Sequence, residues 1–307
     1  MRQNYRAAVV LALALGPVSA AGAERRTWKV DPPGVTFEVT ASDLRAWTGE
    51  TTAAPAFSVA ALLAAEKKEF DAYAKELAQG LAGPDAPSYA DYTMASSVTI
   101  EILSIVGTLV SYRESGGGDT PGAAHPSGYD VLRVRDVLRP EATPSLLDLY
   151  PEAQIVKALK ADPFVRKFGN PEKGFARAAS LEGLVAALDR DWARENSEDS
   201  EDSENECGFE VSFDPSMVRS FFFHHVEKDR VAVRMPIAPA NEWCNRTAGP
   251  QQIGLLLPIP ANLRDPLLQA QGGKAGLLAA DRKAAGSPSY SDSWEVDIRT
   301  LIPRRHR

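Results

Sequence analysis

The chain has 307 residues, 44% of them hydrophobic, and its 34 basic and 41 acidic side chains leave a formal charge of −7. That is enough apolar material for one large domain or two small ones. The acidic balance disfavours nucleic acid and favours basic partners.

At the start, Arg2 and Arg6 precede an apolar run at 7–15, followed by small residues around Ala20 and Ala23. This reads as a secretory signal peptide over residues 1–23. The run is about ten residues, short of the roughly twenty that a spanning helix needs, and no later run is long enough. The expectation is a periplasmic or secreted protein with no integral membrane segment after cleavage. Cys207 and Cys244, the only cysteines, would then reach an oxidising compartment. They either form a disulfide, stabilising by about 3–4 kcal/mol in the chain-entropy picture, or remain two buried thiols.

Val35, Phe37 and Val39 alternate as a strand, with Trp28 on its lead-in. Over 60–77, Phe70, Tyr73, Ala74 and Leu77 recur at helical spacing, and Gly80 is placed to end the helix. Glu66, Lys67, Lys68 and Glu69 read as its solvated face. Residues 24–95 are thus expected to form a small strand-helix lobe, set off by a Gly- and Pro-rich linker at 83–87.

Val98, Ile100 and Ile102 begin a strand, read as 98–112, whose apolar phase slips and implies either two apolar faces or a bulge near Gly107. Gly116, Gly117 and Gly118 open a stretch with further Gly and Pro breaks, expected to be a long mobile loop running to about 128. Tyr129, Val131, Leu132 and Val134 resume as a second strand. Thr143 and Pro144 lead a helical turn containing Asp148, and Pro151 starts a helix with Ile155, Val156 and Leu159 on one stripe.

Leu181, Leu184, Val185 and Leu188 mark a third helix. The run 195–206 contains only Glu, Asp, Ser and Asn and is expected to be a disordered acidic insertion. From Cys207 the pattern is an antiparallel meander, with strands at 209–213, 217–226 and 231–237. A further strand at 252–259 and a short helix at 263–268 follow. Residues 271–307 read as a tail, in which Trp294, Val296 and Ile298 could add an edge strand.

Several of these segments resemble one known domain. The strand, the Gly-containing loop ending in Ala124-His125-Pro126, the next strand, Leu147-Asp148-Leu149-Tyr150 and its helix are similar to the extracytoplasmic domain of lysozyme-sensing anti-sigma factors. That domain also accompanies some peptidoglycan deacetylases. The segments 209–237 and 255–268 resemble its remaining strands and closing helix, so the likeness spans about 95–270. The chain departs from it in carrying Gly-Ala-Ala-His where Gly-Gly-Ala-His is expected, in the acidic insertion, and in lacking a membrane tether. The resemblance implies a cell-envelope binding protein that recognises a lysozyme-like hydrolase or peptidoglycan.

Four histidines are present, His125, His224, His225 and His306. Adjacent strand residues point to opposite faces, so His224 and His225 are not expected to serve one ion, and no zinc spacing is found. His125 either braces the loop backbone or lines a groove with Tyr129 and Asp148. No nucleophile elbow and no phosphate-loop sequence is present. Asp148 reads as a turn or capping residue.

The sequence therefore predicts an α+β fold: a mostly antiparallel sheet with helices largely on one face and a small N-terminal strand-helix lobe. Its domain would span 96–270, and no cofactor or metal is called for. The candidate binding residues are Gly116, Gly117, Gly118, His125, Tyr129 and Asp148. The partner expected is a basic lysozyme-like protein or peptidoglycan. The alternative is an envelope polysaccharide hydrolase or deacetylase accessory with a site at His125 and Asp148.

Overall fold

The structure is a computed structural model, and it describes residues 25–30, 33–49, 54–82, 88–89, 92–123, 126–169, 174–195, 214–237 and 251–302. The expected leader, the linker at 83–87, His125, the acidic run beyond Glu195, both cysteines, the strand at 209–213 and His306 lie outside these residues. The fold is α+β, and every strand pair described is antiparallel.

Its centre is a hairpin of two long strands, β5 (Thr93–Val106) and β6 (Leu109–Asp119). The single strand expected over 98–112 is divided at Gly107, whose φ of +61° makes the tight turn that an L side chain resists. The phase slip is a bulge, but it sits between Ile102 and Ser104 rather than at the glycine. The extra residue turns Leu103 to the opposite face, where it packs with Leu132 and Phe222. Strand β7 (Ser127–Asp136) continues the sheet on one side.

On the other side β11 (Ser289–Asp297) pairs along Thr93–Glu101 of β5. The expected tail is therefore part of the fold. Leu277 exchanges two backbone hydrogen bonds with Ile105, at 2.8 and 2.9 Å. Gly276 permits the approach, since a Cβ there would strike the Ile105 carbonyl oxygen.

Each face of the hairpin carries its own core. On the near face, a four-stranded meander, β1 (Arg26–Val30), β2 (Val35–Val39), β3 (Leu44–Thr48) and β4 (Phe57–Ser58), buries Trp28, Phe37, Leu44 and Phe57 against Ile100, Ile102 and Tyr112. The division drawn at residue 95 is thus not a packing boundary, because both sides of it contribute to one core.

Helix α1 (Val59–Gly80) lies over the same face. Its N-terminus is held by two acceptors: Ser58 Oγ takes the Ala61 N–H, and buried Asp43 takes the Ala60 N–H at 2.9 Å. The other Asp43 oxygen accepts from Arg45 Nε at 2.6 Å and Ser58 Oγ at 3.0 Å.

On the far face, Val106, Leu109 and Val134 meet a second sheet, β10 (Gln251–Pro258), β9 (Arg230–Ile237) and β8 (Phe222–Glu227). With them pack α2 (Glu152–Ala161), α3 (Val165–Phe168), α4 (Gly174–Arg177), α5 (Leu181–Glu195) and α6 (Arg264–Gln271). The strands expected to make one sheet form two, β11-β5-β6-β7 and β10-β9-β8. The strand expected over 217–226 starts only at Phe222, since Asp214 caps a 3-10 turn, Pro215–Arg219, ahead of it.

Asp162 joins the helices to the second sheet. It accepts from Phe164 N and Val165 N through one oxygen and from Gly254 N of β10, at 3.1 Å, through the other. Losing a buried acceptor shared by several N–H donors costs about 2 kcal/mol. Asp43→Ala and Asp162→Ala are each expected to lower unfolding free energy by about that much, read from urea melts. A loss under about 0.5 kcal/mol would show that these carboxylates do not hold the element ends in place.

Candidate functional site

The glycine triplet is not a loop. Gly116, Gly117 and Gly118 lie within β6, paired with Val98, Ser97 and Ser96 of β5 on one side and with Tyr129, Gly128 and Ser127 of β7 on the other. The hairpin turns later, beyond Asp119. Three glycines break a strand prediction because they forfeit backbone entropy and side-chain packing. Here the sheet closes over them on both sides and leaves no room for more. A Cβ at Gly116 would lie 2.7 Å from the Tyr129 ring and 2.8 Å from the Ser97 carbonyl oxygen, and one at Gly118 would collide with the Ala95 carbonyl oxygen.

Alternation along the strands puts Ser96 and Val98 of β5, Glu114, Gly116 and Gly118 of β6, Tyr129 of β7 and Trp294 of β11 on the near face. Above them pass Glu66, Glu69, Phe70 and Tyr73, which share one face of α1 by their 3- and 4-residue spacing. The space between is a groove of about 260 Å³ with a floor of glycine strand. Phe70 and Trp294 close one wall, their ring centroids 6.0 Å apart. Tyr73 and Tyr129 stand at the opening, 47% and 37% exposed. A neighbouring cleft of about 460 Å³ shares Ser96, Gly118 and Trp294 with it.

The electrostatics are one-sided. Glu114 is buried and held by Arg133 Nε at 2.7 Å. Burial raises the Glu66 carboxyl above the ordinary range, Glu114 and Glu69 raise it further, and Arg133 opposes them. The Tyr129 phenol is pushed up to about 12, first by burial and then by Glu66 and Glu114. Glu66 thus lies close to Glu69 and Glu114 beside four aromatic rings, while Arg133 is bonded to Glu114 and Lys67, near the Phe70 ring, to Asp71. A cation entering the groove would relieve the crowding and find ring faces to lie against.

Of the sequence candidates, Gly117, Gly118 and Tyr129 line this groove, and Gly116 lies covered beneath the Tyr129 ring. Asp148 does not. It closes a capping box with Ser145 on the 3-10 turn Leu146–Asp148, accepting the Ser145 N–H at 2.8 Å. In the sequence Glu66 and Glu69 read as solvated face, Phe70 and Tyr73 as helix stripe and Trp294 as edge strand. Their signal was a tyrosine on an apolar stripe directly beside two acids of the same helix face.

The histidine pair also differs from expectation. A bulge between Phe223 and His225 cancels the alternation, and the two Nδ1 atoms come within 2.8 Å, one donating and one accepting. Among the described residues, no group of three or more His, Cys, Asp or Glu side chains is placed to hold a metal ion, and no helix is long and apolar enough to cross a membrane. Comparison of the chain with protein families, curated proteins and solved structures found no match.

The folded state holds the Glu66 proton more tightly than the unfolded chain does. Stability from this group is therefore greatest at acid pH and falls as pH rises from the ordinary carboxylate value through the raised one. Glu66→Gln is expected to be more stable than the parent at pH 7, the difference vanishing near pH 3, in urea melts at the two pH values. A parent as stable as the variant at pH 7 would contradict the crowding of charges. Gly118→Ala, which needs β5 or β6 to shift, is expected to cost about 2 kcal/mol in the same melts.

Proposed function

We propose that the chain is a non-enzymatic recognition protein of the cell envelope, acting in the periplasm or outside the cell, whose groove between α1 and the glycine strand seats a basic, lysozyme-like partner. The observation that carries this reading is the pair of carboxylates, Glu66 and Glu69, that line an aromatic-walled groove, with the one neighbouring guanidinium, Arg133, already bonded to buried Glu114. A lysine or arginine side chain supplies the missing positive charge and can stack on Tyr73, Tyr129 or Trp294. The overall charge of −7 acts in the same direction at long range, raising the encounter rate with a basic protein.

A second reading has its own support. Aromatic faces beside Ser96, Ser127 and carboxylates also suit the sugar rings and hydroxyls of peptidoglycan. Salt separates the two, because attraction between opposite charges is screened and stacking on a neutral sugar is not. The hydrolase or deacetylase alternative gains no support from Asp148, whose carboxylate is already engaged as a cap.

The test measures binding of the chain to a basic muramidase and to purified sacculi across a salt series. Binding to the muramidase is expected to weaken at least about tenfold from low to physiological salt. The double variant Glu66→Gln, Glu69→Gln is expected to weaken it by a similar factor at low salt. Salt-insensitive retention on sacculi, lost with Trp294→Ala, would instead favour the glycan. Muramidase binding unchanged by the double variant would remove the groove from the interaction.

A further inference from the structure

The groove opens beside a strand that has a partner on one side only. In the sheet order β11-β5-β6-β7, β7 is an edge. It pairs with β6 over all ten residues without a register shift. Residues 127–131 are exposed throughout, with Tyr129 and Val131 each at 37%. Edge strands in stable proteins are usually blunted by lysine, proline, a bulge or a covering element. Residues 127–131, Ser-Gly-Tyr-Asp-Val, contain none of the first three, and among the described residues no strand covers their outer side. A regular, exposed edge left with free N–H and C=O groups is a template for an added strand.

From these observations we infer that β7 receives an extended, basic segment of the partner as a fifth antiparallel or parallel strand, with its backbone paired to residues 127–131 and a cationic side chain reaching over Tyr129 into the groove. This rests on reading the groove as a cation site. The occupant is fixed by charge. On the near face an incoming side chain next to Tyr129 approaches Glu66 and Glu114, which among the interactions described share the single cation Arg133. On the far face it lies beside Asp130, which shares Arg113 with Glu101 at 3.5 and 3.6 Å. An acidic segment would meet carboxylates on both faces. A second copy of this chain would bring the same acids to the same edge, and like charges placed across strands repel.

The two sources of affinity are separable. Backbone pairing contributes irrespective of side chain, and the groove contributes through charge. A blocked eight-residue peptide alternating lysine and valine supplies both. The same peptide with alternate amides N-methylated keeps the charge but cannot pair along that edge. A glutamate-for-lysine version keeps the pairing groups and reverses the charge.

The chain is titrated with each peptide, following the affinity and the hydrogen exchange of its backbone amides. The lysine peptide is expected to slow exchange of outward-facing amides within 127–131 at least about tenfold, and N-methylation or charge reversal to weaken binding at least about tenfold. Equal binding of the N-methylated peptide, or exchange at 127–131 left unchanged at saturation, overturns strand addition while leaving the groove as a cation site. Failure of the Glu66→Gln, Glu69→Gln variant to weaken the muramidase overturns the groove reading independently. Dimers of the chain that protect 127–131 without any peptide would show that the edge is used by a second copy and also overturn the inference.

Discussion

Everything in the molecule leans on the β5–β6 hairpin being apolar on both faces at its closed end and rich in serine and glycine toward its open end. Ile100, Ile102 and Tyr112 are fully buried on the near side, and on the far side Val106 is fully and Leu109 largely buried. Toward the open end the same two strands carry Ser96, Ser97, Gly116, Gly117 and Gly118. At about 25 cal/mol per Å² of apolar surface removed from water, the closed end supplies the driving force that anchors both flanking cores. The open end contributes little and is left available. A strand pair of this length, stabilised at one end, can present an unpacked surface at the other without coming apart.

The groove follows from that gradient. Glycines in a strand interior are a cost in isolation. Here they let Tyr129 lie across the strand, and α1 leaves a groove above a floor with no side chains. The helix that forms the other wall is fixed at its start by Asp43 and Ser58, which belong to the meander that packs on the hairpin. The geometry of the groove is therefore set by the near-face core, to which it is joined through Val98, buried in that core and lining the groove. The raised Glu66 carboxyl costs stability at neutral pH, and a cation beside it would offset that cost. Such opposition between folding and binding is common where polar groups are preorganised for a ligand.

Periodicity alone made the α+β class legible. The strands at β2, β7 and β9 and the helices α1, α2 and α5 were readable because each has one buried face, and a buried face writes its period into the sequence. The helix stripe Ile155, Val156 and Leu159 and the stripe Leu181, Leu184, Val185 and Leu188 are buried as that period requires. Asp148 was readable as a cap because capping is local chemistry within four residues.

What the sequence could not decide is everything that depends on which strand lies beside which. The glycine triplet has no periodicity of its own; only pairing on both sides makes it a strand. Two adjacent histidines point apart in a regular strand and meet only because a bulge between Phe223 and His225 intervenes. Glu66 and Glu69 look like ordinary solvated charges until the fold brings Glu114 from a strand forty-eight positions later to the same place. Composition and period thus determined the elements, their class and the acidic character of the chain. Tertiary structure alone decided the groove, because its walls come from a helix and four strands scattered between residues 66 and 294, and no local pattern encodes a meeting of segments that far apart.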